Sequence, residues 1–335
     1  MYYIYMDSGV STTRAFLLKS DGTIVDSTSA KVGTKDSAIS GSNEVLLSGM
    51  WSCYNILLSN NVLLESDIID VWMSGMVTNN FGVAHADHAS VPIDAKKLAD
   101  TTYTHMEGRF FKRDLHLIRG GKTAQPGQII DITNIADMNT VRGEEIEAVG
   151  LVASGVIPSG ADAVMISPGS HTHLLLIKGG AVVDISSNFT GELSHAIRTQ
   201  TILGGELSDS PVEMEEQYVL HGLSCLQEHG ITRSLCVIHA SRVLGILSDE
   251  IRTQIFEGVI ASSVIELLAK KMQREWAGVR NIIILGGKPH IKAYEILCRH
   301  LLPTDVNVTM LNSQAHESYA LRGFLEILKH RGVKV

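Results

Sequence analysis

The chain has 335 residues, of which 44% are hydrophobic and 19% charged, with 7 prolines and a formal net charge of −8. That composition belongs to a well-packed globular protein long enough for two lobes, and it excludes a disordered or fibrous chain. The acidic balance and the absence of a dense Lys/Arg run also exclude a phosphate-backbone footprint, and with it general nucleic-acid binding.

Residues 1–25 read as an apolar strand ending in Asp7, a polar turn on Gly9, a second strand, a turn at Asp21-Gly22 and a third strand. Gly9 lets the backbone of a turn approach an anion closely, and Asp7 at the strand end can hold a cation beside it. These are the parts of a nucleoside-triphosphate site. A small-residue loop is expected from Val32 to Gly41, then an amphipathic helix from Ser42 to Leu58 with Leu46, Met50, Trp51 and Tyr54 at helical spacing. Ile68 to Met73 reads as a buried strand running into Ser74-Gly75-Met76-Val77-Thr78-Asn79-Asn80. Ligands of open α/β sheets lie beyond the carboxyl ends of strands, so this loop is a candidate substrate contact, with an ordinary polar turn as the alternative.

The segment from His85 to Gly127 is less regular, with a short helix at Ile93 to Leu98 and a strand at Leu115 to Ile118, and it suits a cap over a substrate. Arg142-Gly143-Glu144-Glu145 then opens a helix with two carboxylates in its first turn. The pattern breaks from Ser154 to Gly160, dividing the chain into lobes 1–155 and 156–335. Ala163 to Ile185 repeats the opening device: strand, a turn at Pro168-Gly169-Ser170-His171-Thr172, strand, Lys178-Gly179-Gly180, strand. Two such devices, one opening each half, argue for a duplicated architecture with two phosphate-holding hairpins.

Helices are expected from Thr190 to about Ile202, Glu213 to Cys225 and Ser248 to Met272, the last capped by Ser248 with Asp249 and Glu250 at the positive end of its dipole. Asn281 to Leu285 is a strand of the kind buried on both faces, followed at once by Gly286-Gly287. A glycine pair there lets a nucleobase and ribose approach the backbone, although a plain strand–turn–helix junction reads the same way. A helix from His290 to Leu301, a strand from Val306 to Met310 and a helix from Gln314 to His330 close the chain. Cys53, Cys225, Cys236 and Cys298 lack CxxC spacing, so reduced, packed thiols are expected. The chain opens directly on a strand, without a basic and then apolar leader, and no apolar run reaches the ~20 residues that span a bilayer. A cytoplasmic protein without a membrane partner is expected.

Together the motifs Asp7-x-Gly9-x-Ser11-x-x-Arg14, Gly75-Met76-Val77, Arg142-Gly143-Glu144-Glu145, Pro168-Gly169-Ser170-His171, Thr190-Gly191-Glu192-Leu193, Leu203-Gly204-Gly205 and Leu285-Gly286-Gly287 resemble a known family. It is that of the 2-dehydro-3-deoxygalactonate kinases, in the superfamily of actin, hexokinase and the heat-shock chaperone ATPases. The resemblance covers nearly the whole chain. Departures stand at Ser8 and Val83, where that family commonly has tryptophan, at Gly9-Val10-Ser11, where it has Gly-Thr-Thr, and at His173-Leu174, where it has Lys-Trp.

The resemblance implies an α/β fold of two RNase-H-like lobes with an interlobe cleft, the sugar-acid side in 1–155 and the nucleotide side in 156–335. It implies ATP- and Mg²⁺-dependent phosphorylation of 2-dehydro-3-deoxy-D-galactonate to its 6-phosphate, in galactonate catabolism. Gly9, Ser11, Thr12, Arg14, Gly169, Ser170, His171 and Thr172 would hold phosphates, Asp7 would hold Mg²⁺ through water, and Gly286 and Gly287 would meet the nucleotide. Gly75, Met76, Val77, Thr190, Gly191 and Glu192 would contact the substrate. Glu144 or Glu145 would be the general base, with Arg142 pairing the substrate carboxylate or the transferring phosphate. The alternative for both glutamates is stabilisation of a helix start. A kinase for a related 2-keto-3-deoxy sugar acid and a non-catalytic binder of nucleotide or sugar acid stay open, as does a homo-oligomer. His171-x-His173 with His85-x-Asp87-His88 has the residue types of a metallohydrolase but lacks its helical His-Glu-x-x-His signature.

Overall fold

The structure, a computed structural model, describes residues 1–158, 160–312 and 318–333. Its first elements are β1 (Tyr2–Ser8), β2 (Thr13–Lys19), β3 (Ile24–Ala30), α1 (Thr34–Ser40), α2 (Glu44–Asn60), β4 (Ile68–Gly75), β5 (Ala89–Ser90), α3 (Ala95–Asp100), β6 (Tyr103–Glu107), β7 (Arg113–Leu117), β8 (Gly121–Lys122), β9 (Thr140–Val141) and α4 (Glu144–Ala153). There follow β10 (Ala163–Pro168), β11 (Thr172–Lys178), β12 (Ala181–Asn188), α5 (Gly191–Gln200), α6 (Glu216–Val243), α7 (Asp249–Met272), β13 (Asn281–Leu285), α8 (Lys292–Leu301), β14 (Asn307–Leu311) and α9 (Tyr319–His330).

One sheet has the order β3-β2-β1-β4-β7-β6 and another β12-β11-β10-β13-β14. In the first, β1 and β2 and likewise β2 and β3 are antiparallel, whereas β4 runs parallel to β1 and β7 parallel to β4. In the second, β13 runs parallel to β10 and β14 parallel to β13. Apart from the added antiparallel edge strand β6, both sheets therefore place their strands third, second, first, fourth, fifth in order of appearance. The duplication expected from the paired hairpins is present, as two α/β folds of the RNase-H-like kind. A third, small sheet has the order β5-β8-β9.

The chain divides into two compact units. One takes the described residues of Met1–Gly160, Ile177–Ile185 and Ala315–Val335, the other those of Ala161–Leu176 and Ser186–Gln314. The C-terminal helix α9 therefore belongs with the amino-terminal unit, which sequence order alone did not suggest.

The reason lies in the two faces of β1. Ile4 and Met6 point into a core with Ala15, Leu17, Val71 and Met73, covered by Leu46, Leu47, Met50, Cys53, Tyr54 and Leu57 of α2. Tyr5 points the other way, as alternation requires, and stacks on Phe324 of α9 at 4.2 Å and 5° between planes. A sheet needing cover on both faces recruits α9 and, packed on it, α4. Those two helices approach so closely that a Cβ on Gly150 would lie 1.9 Å from the Tyr319 carbonyl oxygen, and one on Gly323 2.1 Å from that of Ile146.

Two expectations change and a third falls outside the described residues. The loop expected from Val32 to Gly41 holds α1, whose first N–H groups are satisfied from outside: Thr34 and Lys35 donate to the carbonyls of Gly9 and Val10 at 3.3 and 2.9 Å. The helix expected to stop at Cys225 runs on to Val243, broken at Gly230 (φ 71°, ψ 169°). The start expected for the last helix at Gln314 lies outside the described residues; the described helix is capped by Ser318, whose Oγ accepts the Leu321 N–H. Among the described residues, no helix is long and apolar enough to cross a membrane.

Gly150→Ala is expected to force α4 and α9 apart and to lower stability by about 1–3 kcal/mol, read as a lower urea midpoint at unchanged slope. An unchanged midpoint would refute this account of the packing.

Candidate active site

The first candidate residues gather where β1 ends. Strand register sets Asp7 opposite Arg14 on β2 and opposite Ser74 on β4. Ser74 Oγ donates to Asp7 Oδ1 at 3.4 Å and is itself 2.6 Å from the Tyr5 hydroxyl. Burial raises the Asp7 carboxyl above its ordinary value and the Glu144 charge adds to this, while Arg14 and the Ser74 hydrogen bond act against them. Beyond Asp7 the chain turns through Gly9 to Thr12, closed by the Gly9 N–H on the Thr12 carbonyl at 2.9 Å. Gly9, Ser11, Thr12 and Arg14 are all exposed on or beside this turn. The start of α1 docks on its far side, where a Cβ on Gly33 would lie 2.3 Å from the Val10 carbonyl.

The loop after β4 lies beside Asp7: a Cβ on Gly75 (φ 79°) would meet the Ser8 carbonyl at 2.4 Å and Asp7 Oδ1 at 3.3 Å. Met76 is half-buried, but the Val77 side chain is wholly inside and its carbonyl accepts the Val83 and Ala84 N–H groups. Val77 therefore shapes the loop from the core and does not present a side chain to a substrate.

At the start of α4 the two candidate bases differ. Glu145 is completely buried, and its oxygens accept the Gly143 N–H at 3.0 and 2.9 Å. Glu144 is half-buried and accepts the Arg142 N–H at 3.2 Å. Each turns a carboxylate back onto the helix start, so the capping role is real for both. The Arg142 guanidinium donates to Thr78 Oγ1. Burial, joined by the Glu144 charge, lifts Glu145 to about 8 against the pull of the Gly143 N–H and Arg142. Glu147 is lifted to about 8 by burial together with the charges of Glu144, Asp7 and Glu145. Glu147 was missing from the candidates, although its place three residues after Glu144 puts it on the same helical face. Among the described residues, no three His, Cys, Asp or Glu side chains are arranged to hold a metal ion.

The second unit repeats the turn. The Gly169 N–H closes on the His171 carbonyl at 2.9 Å, and the Ser170 carbonyl accepts the Glu192 N–H at 2.8 Å, which docks the start of α5 on the turn. A Cβ on Gly191 would lie 2.1 Å from the Gly169 carbonyl oxygen. Gly169, Ser170 and Glu192 are exposed and His171 partly so. Thr172 differs from its expected role. Its hydroxyl is buried and bonds to Thr190 Oγ1 at 2.7 Å and the Tyr294 hydroxyl at 2.9 Å. Its counterpart in the first unit is Thr13, whose equally buried hydroxyl bonds to Ser8 Oγ and the Val32 carbonyl, both at 2.9 Å. In each unit the first residue of the second strand pins the segment leading into the docked helix, so the hydroxyls of Thr172 and Thr190 are spent internally.

Gly286 and Gly287 follow β13 as expected. Their Cβ positions are crowded by the protein's own side chains, Ile291 Cδ1 and Asn312 Oδ1, each at 2.2 Å. His171 and His173 lie in one unit, and His85, Asp87 and His88 in the other.

A sequence profile described as 2-keto-3-deoxy-galactonokinase matches residues 7–326 of the chain. The chain belongs to that family. It is similar to a 2-dehydro-3-deoxygalactonokinase from Escherichia coli (strain K12), with 26% identity over 191 residues. That alignment spans 57% of this chain and 58% of the relative's length. A crystal structure from Sinorhizobium meliloti, of a candidate 2-dehydro-3-deoxygalactonokinase, superposes with a TM-score of 0.73 at 17% identity, covering 98% of each chain. This likeness carries the fold.

Within the 2-keto-3-deoxy-galactonokinase family, the departures at Ser8, Val83, His173 and Leu174 are changes of packing, since all four are buried. His173 bonds to Ser187 Oγ at 2.9 Å, and burial, with some help from His171, lowers it to about 4, so it is neutral at physiological pH.

Because Glu145 stands at about 8 in the fold against an ordinary 4.5, the folded chain keeps a proton there that the unfolded chain has released between those pH values. The stability this group contributes is full below about pH 4.5 and is lost as pH rises through 8. Glu145→Gln keeps an oxygen for the Gly143 N–H and removes the titration. The unfolding free energy of the variant, less that of the wild type, is therefore expected to rise from pH 5 to pH 8 in urea titrations. A difference independent of pH would count against a buried, proton-holding Glu145.

Proposed function

We propose that the chain is an ATP-dependent kinase that transfers the γ-phosphoryl group to the 6-hydroxyl of 2-dehydro-3-deoxy-D-galactonate, in the cytoplasmic breakdown of galactonate. The observation that carries this reading is the glycine turn docked on a helix start, built once in each unit, with Asp7 at the strand end beside one of the two turns. Membership of the 2-keto-3-deoxy-galactonokinase family supports both the reaction and the substrate.

Phosphoryl transfer demands mainly positioning and charge neutralisation. Each turn offers groups suited to phosphate oxygens: N–H groups, hydroxyls and a cation from Gly9, Ser11, Thr12 and Arg14 in the first unit, and N–H groups, a hydroxyl and an imidazole from Gly169, Ser170 and His171 in the second. Thr172, Thr190 and Gly191 hold the second turn in shape. Asp7 would hold Mg²⁺, an ion that keeps much of its water and so needs few protein ligands. The ion would supply charge neutralisation for the phosphates there, and its positive charge would favour the ionised form of a carboxyl that burial has raised. The nucleotide belongs with the 156–335 half, near Gly286 and Gly287, and the sugar acid with the 1–155 half, near Gly75 and Met76.

Glu144 is the better general base. It keeps solvent-facing surface at the helix start, whereas Glu145 is wholly buried with both oxygens on the Gly143 N–H. Its role is to accept the proton of the 6-hydroxyl as the phosphoryl group arrives.

Coupled ADP-release assays with 2-dehydro-3-deoxy sugar acids should show turnover on the galactonate epimer, with ³¹P NMR placing the phosphate on C6. Glu144→Gln should lower kcat by about 10²- to 10⁴-fold at an unchanged Mg²⁺ requirement, whereas Asp7→Asn should raise that requirement. Absence of turnover on every such acid would sink the kinase reading, and wild-type kcat in Glu144→Gln would move the base elsewhere.

A further inference from the structure

We propose that one face of the small β5–β8–β9 sheet, bearing Lys122, Arg142 and His88, is the seat of the substrate's carboxylate, with the two cations as its counter-charge and His88 as a hydrogen-bond donor to the adjoining keto oxygen. The proposal rests on the sugar-acid reading above and assigns the residues that select an acid over a neutral sugar.

The placement follows from register. Gly121 pairs with Ala89 and Val141, and Lys122 pairs with Ser90 and Thr140. Side chains alternate across a sheet, so Ala89 and Val141 share one face, which is buried, and Ser90, Lys122 and Thr140 share the other. His88 and Arg142, each two residues along from Ser90 and Thr140, continue that second face. The Cβ position of Gly120, two residues before Lys122, lies 2.7 Å from Arg142 Cγ and 3.0 Å from His88 Cδ2. Any side chain at position 120 would fill the space between them. The Arg142 guanidinium continues to Thr78, in the loop after β4 that begins at Gly75.

The charges on this face do not balance. Burial lowers the His88 ring to about 4, and Arg142 and Lys122 both add to the effect, so both cations act on one partly buried ring. His88 is therefore neutral at physiological pH and keeps a single N–H to donate. Asp87, which acts on His88 and Arg142, is exposed; Glu145, which acts on Arg142, is itself held at about 8; and the Glu144 carboxylate accepts the Arg142 backbone N–H. Glu145 is mostly protonated at neutral pH and supplies little negative charge. Among the described residues Lys122 joins no ion pair, and the Arg142 guanidinium donates to a neutral hydroxyl. Both cations act on the one ring of His88, and a carboxylate bound on this face would supply them with a counter-charge. A 2-keto acid fits the set: its planar carboxylate suits the guanidinium fork, Lys122 adds a point charge, and the keto oxygen accepts from His88.

The test compares wild type, Lys122→Met and Lys122→Arg in steady-state kinetics and in calorimetric binding, using 2-dehydro-3-deoxygalactonate and its uncharged carboxamide. Loss of one charged contact should raise KM and Kd for the acid about 10- to 100-fold in Lys122→Met. Its kcat at saturation should change by less than about threefold, the pattern of binding shared by ground state and transition state. Lys122→Arg should recover most of the affinity, and the preference of the wild type for the acid over the carboxamide should shrink in Lys122→Met. Equal affinity of Lys122→Met and wild type for the acid, or a wild type that does not prefer the acid, would overturn the seat while leaving the kinase reading intact. A wild type that binds the acid through Lys122 but releases no ADP would keep the seat and remove the kinase reading. A wild type that neither binds nor phosphorylates the acid would remove both.

Discussion

The structure depends on a single backbone constraint made twice: a helix start pressed onto a glycine turn with no room between them for a side chain. In the first unit the carbonyls of Gly9 and Val10 satisfy the first N–H groups of α1, and in the second the Ser170 carbonyl satisfies one of α5. The bonds matter because those helix donors have no partner inside their own helix. They also turn the carbonyls of each turn toward protein, leaving its outer edge, where Ser11, Thr12 and Ser170 lie, facing solvent. Thr13 and Thr172 secure the junctions from beneath through buried hydroxyls. A rigid turn is what an anion site requires, since a loop that must be ordered on binding spends affinity on entropy.

Around Asp7 the fold gathers carboxyl groups that resist ionisation. Glu145 and Glu147 sit on one helix start above a strand end that carries Asp7, and burial raises all three. Such a group costs stability at neutral pH, and the Gly143 N–H on Glu145 and the Ser74 hydroxyl on Asp7 offset only part of it. Groups shifted in this way cluster at functional sites. Close by, the face with Lys122 and Arg142 has the opposite imbalance. On the proposed reading, the same unit carries an acid-rich region for a cation and proton transfer, and a cation-bearing face for a carboxylate.

Most strands of the two large sheets, β6 excepted, were legible because alternation and turn residues are local signals. Asp21-Gly22 closes β2 on β3 with the Gly22 N–H on the Lys19 carbonyl, and the Asn281–Leu285 run is β13 to the residue. The duplicated sheet order followed from recognising the hairpin twice. What was not legible depends on distant partners. α1 has no apolar period, and the carbonyls that hold its start come from residues 9 and 10. α9 reads as an ordinary amphipathic helix, and the sheet it covers is shown by Tyr5 and Trp72, which meet Phe324 from about 250 to more than 300 residues earlier. The role expected of Thr172 failed because a threonine beside a glycine turn reads the same whether its hydroxyl points outward or to Tyr294. Lys122 was not legible, and His88 read only as part of a His/Asp cluster, because β5, β8 and β9 are two residues each, too short for any periodicity to register.

The central claim is that the docked glycine turns hold the phosphates, and Gly191→Ala addresses it directly. The added methyl meets the Gly169 carbonyl and must displace the turn, while most of the core around α5, from Leu203, Leu207, Ile238, Ile255, Phe256 and Ile260, lies on other segments. Calorimetric titration of the folded variant with the non-hydrolysable ATP analogue AMPPNP and Mg²⁺ should show affinity about tenfold or more below that of the wild type, with circular dichroism unchanged. Wild-type affinity in a variant whose turn has moved would contradict the claim.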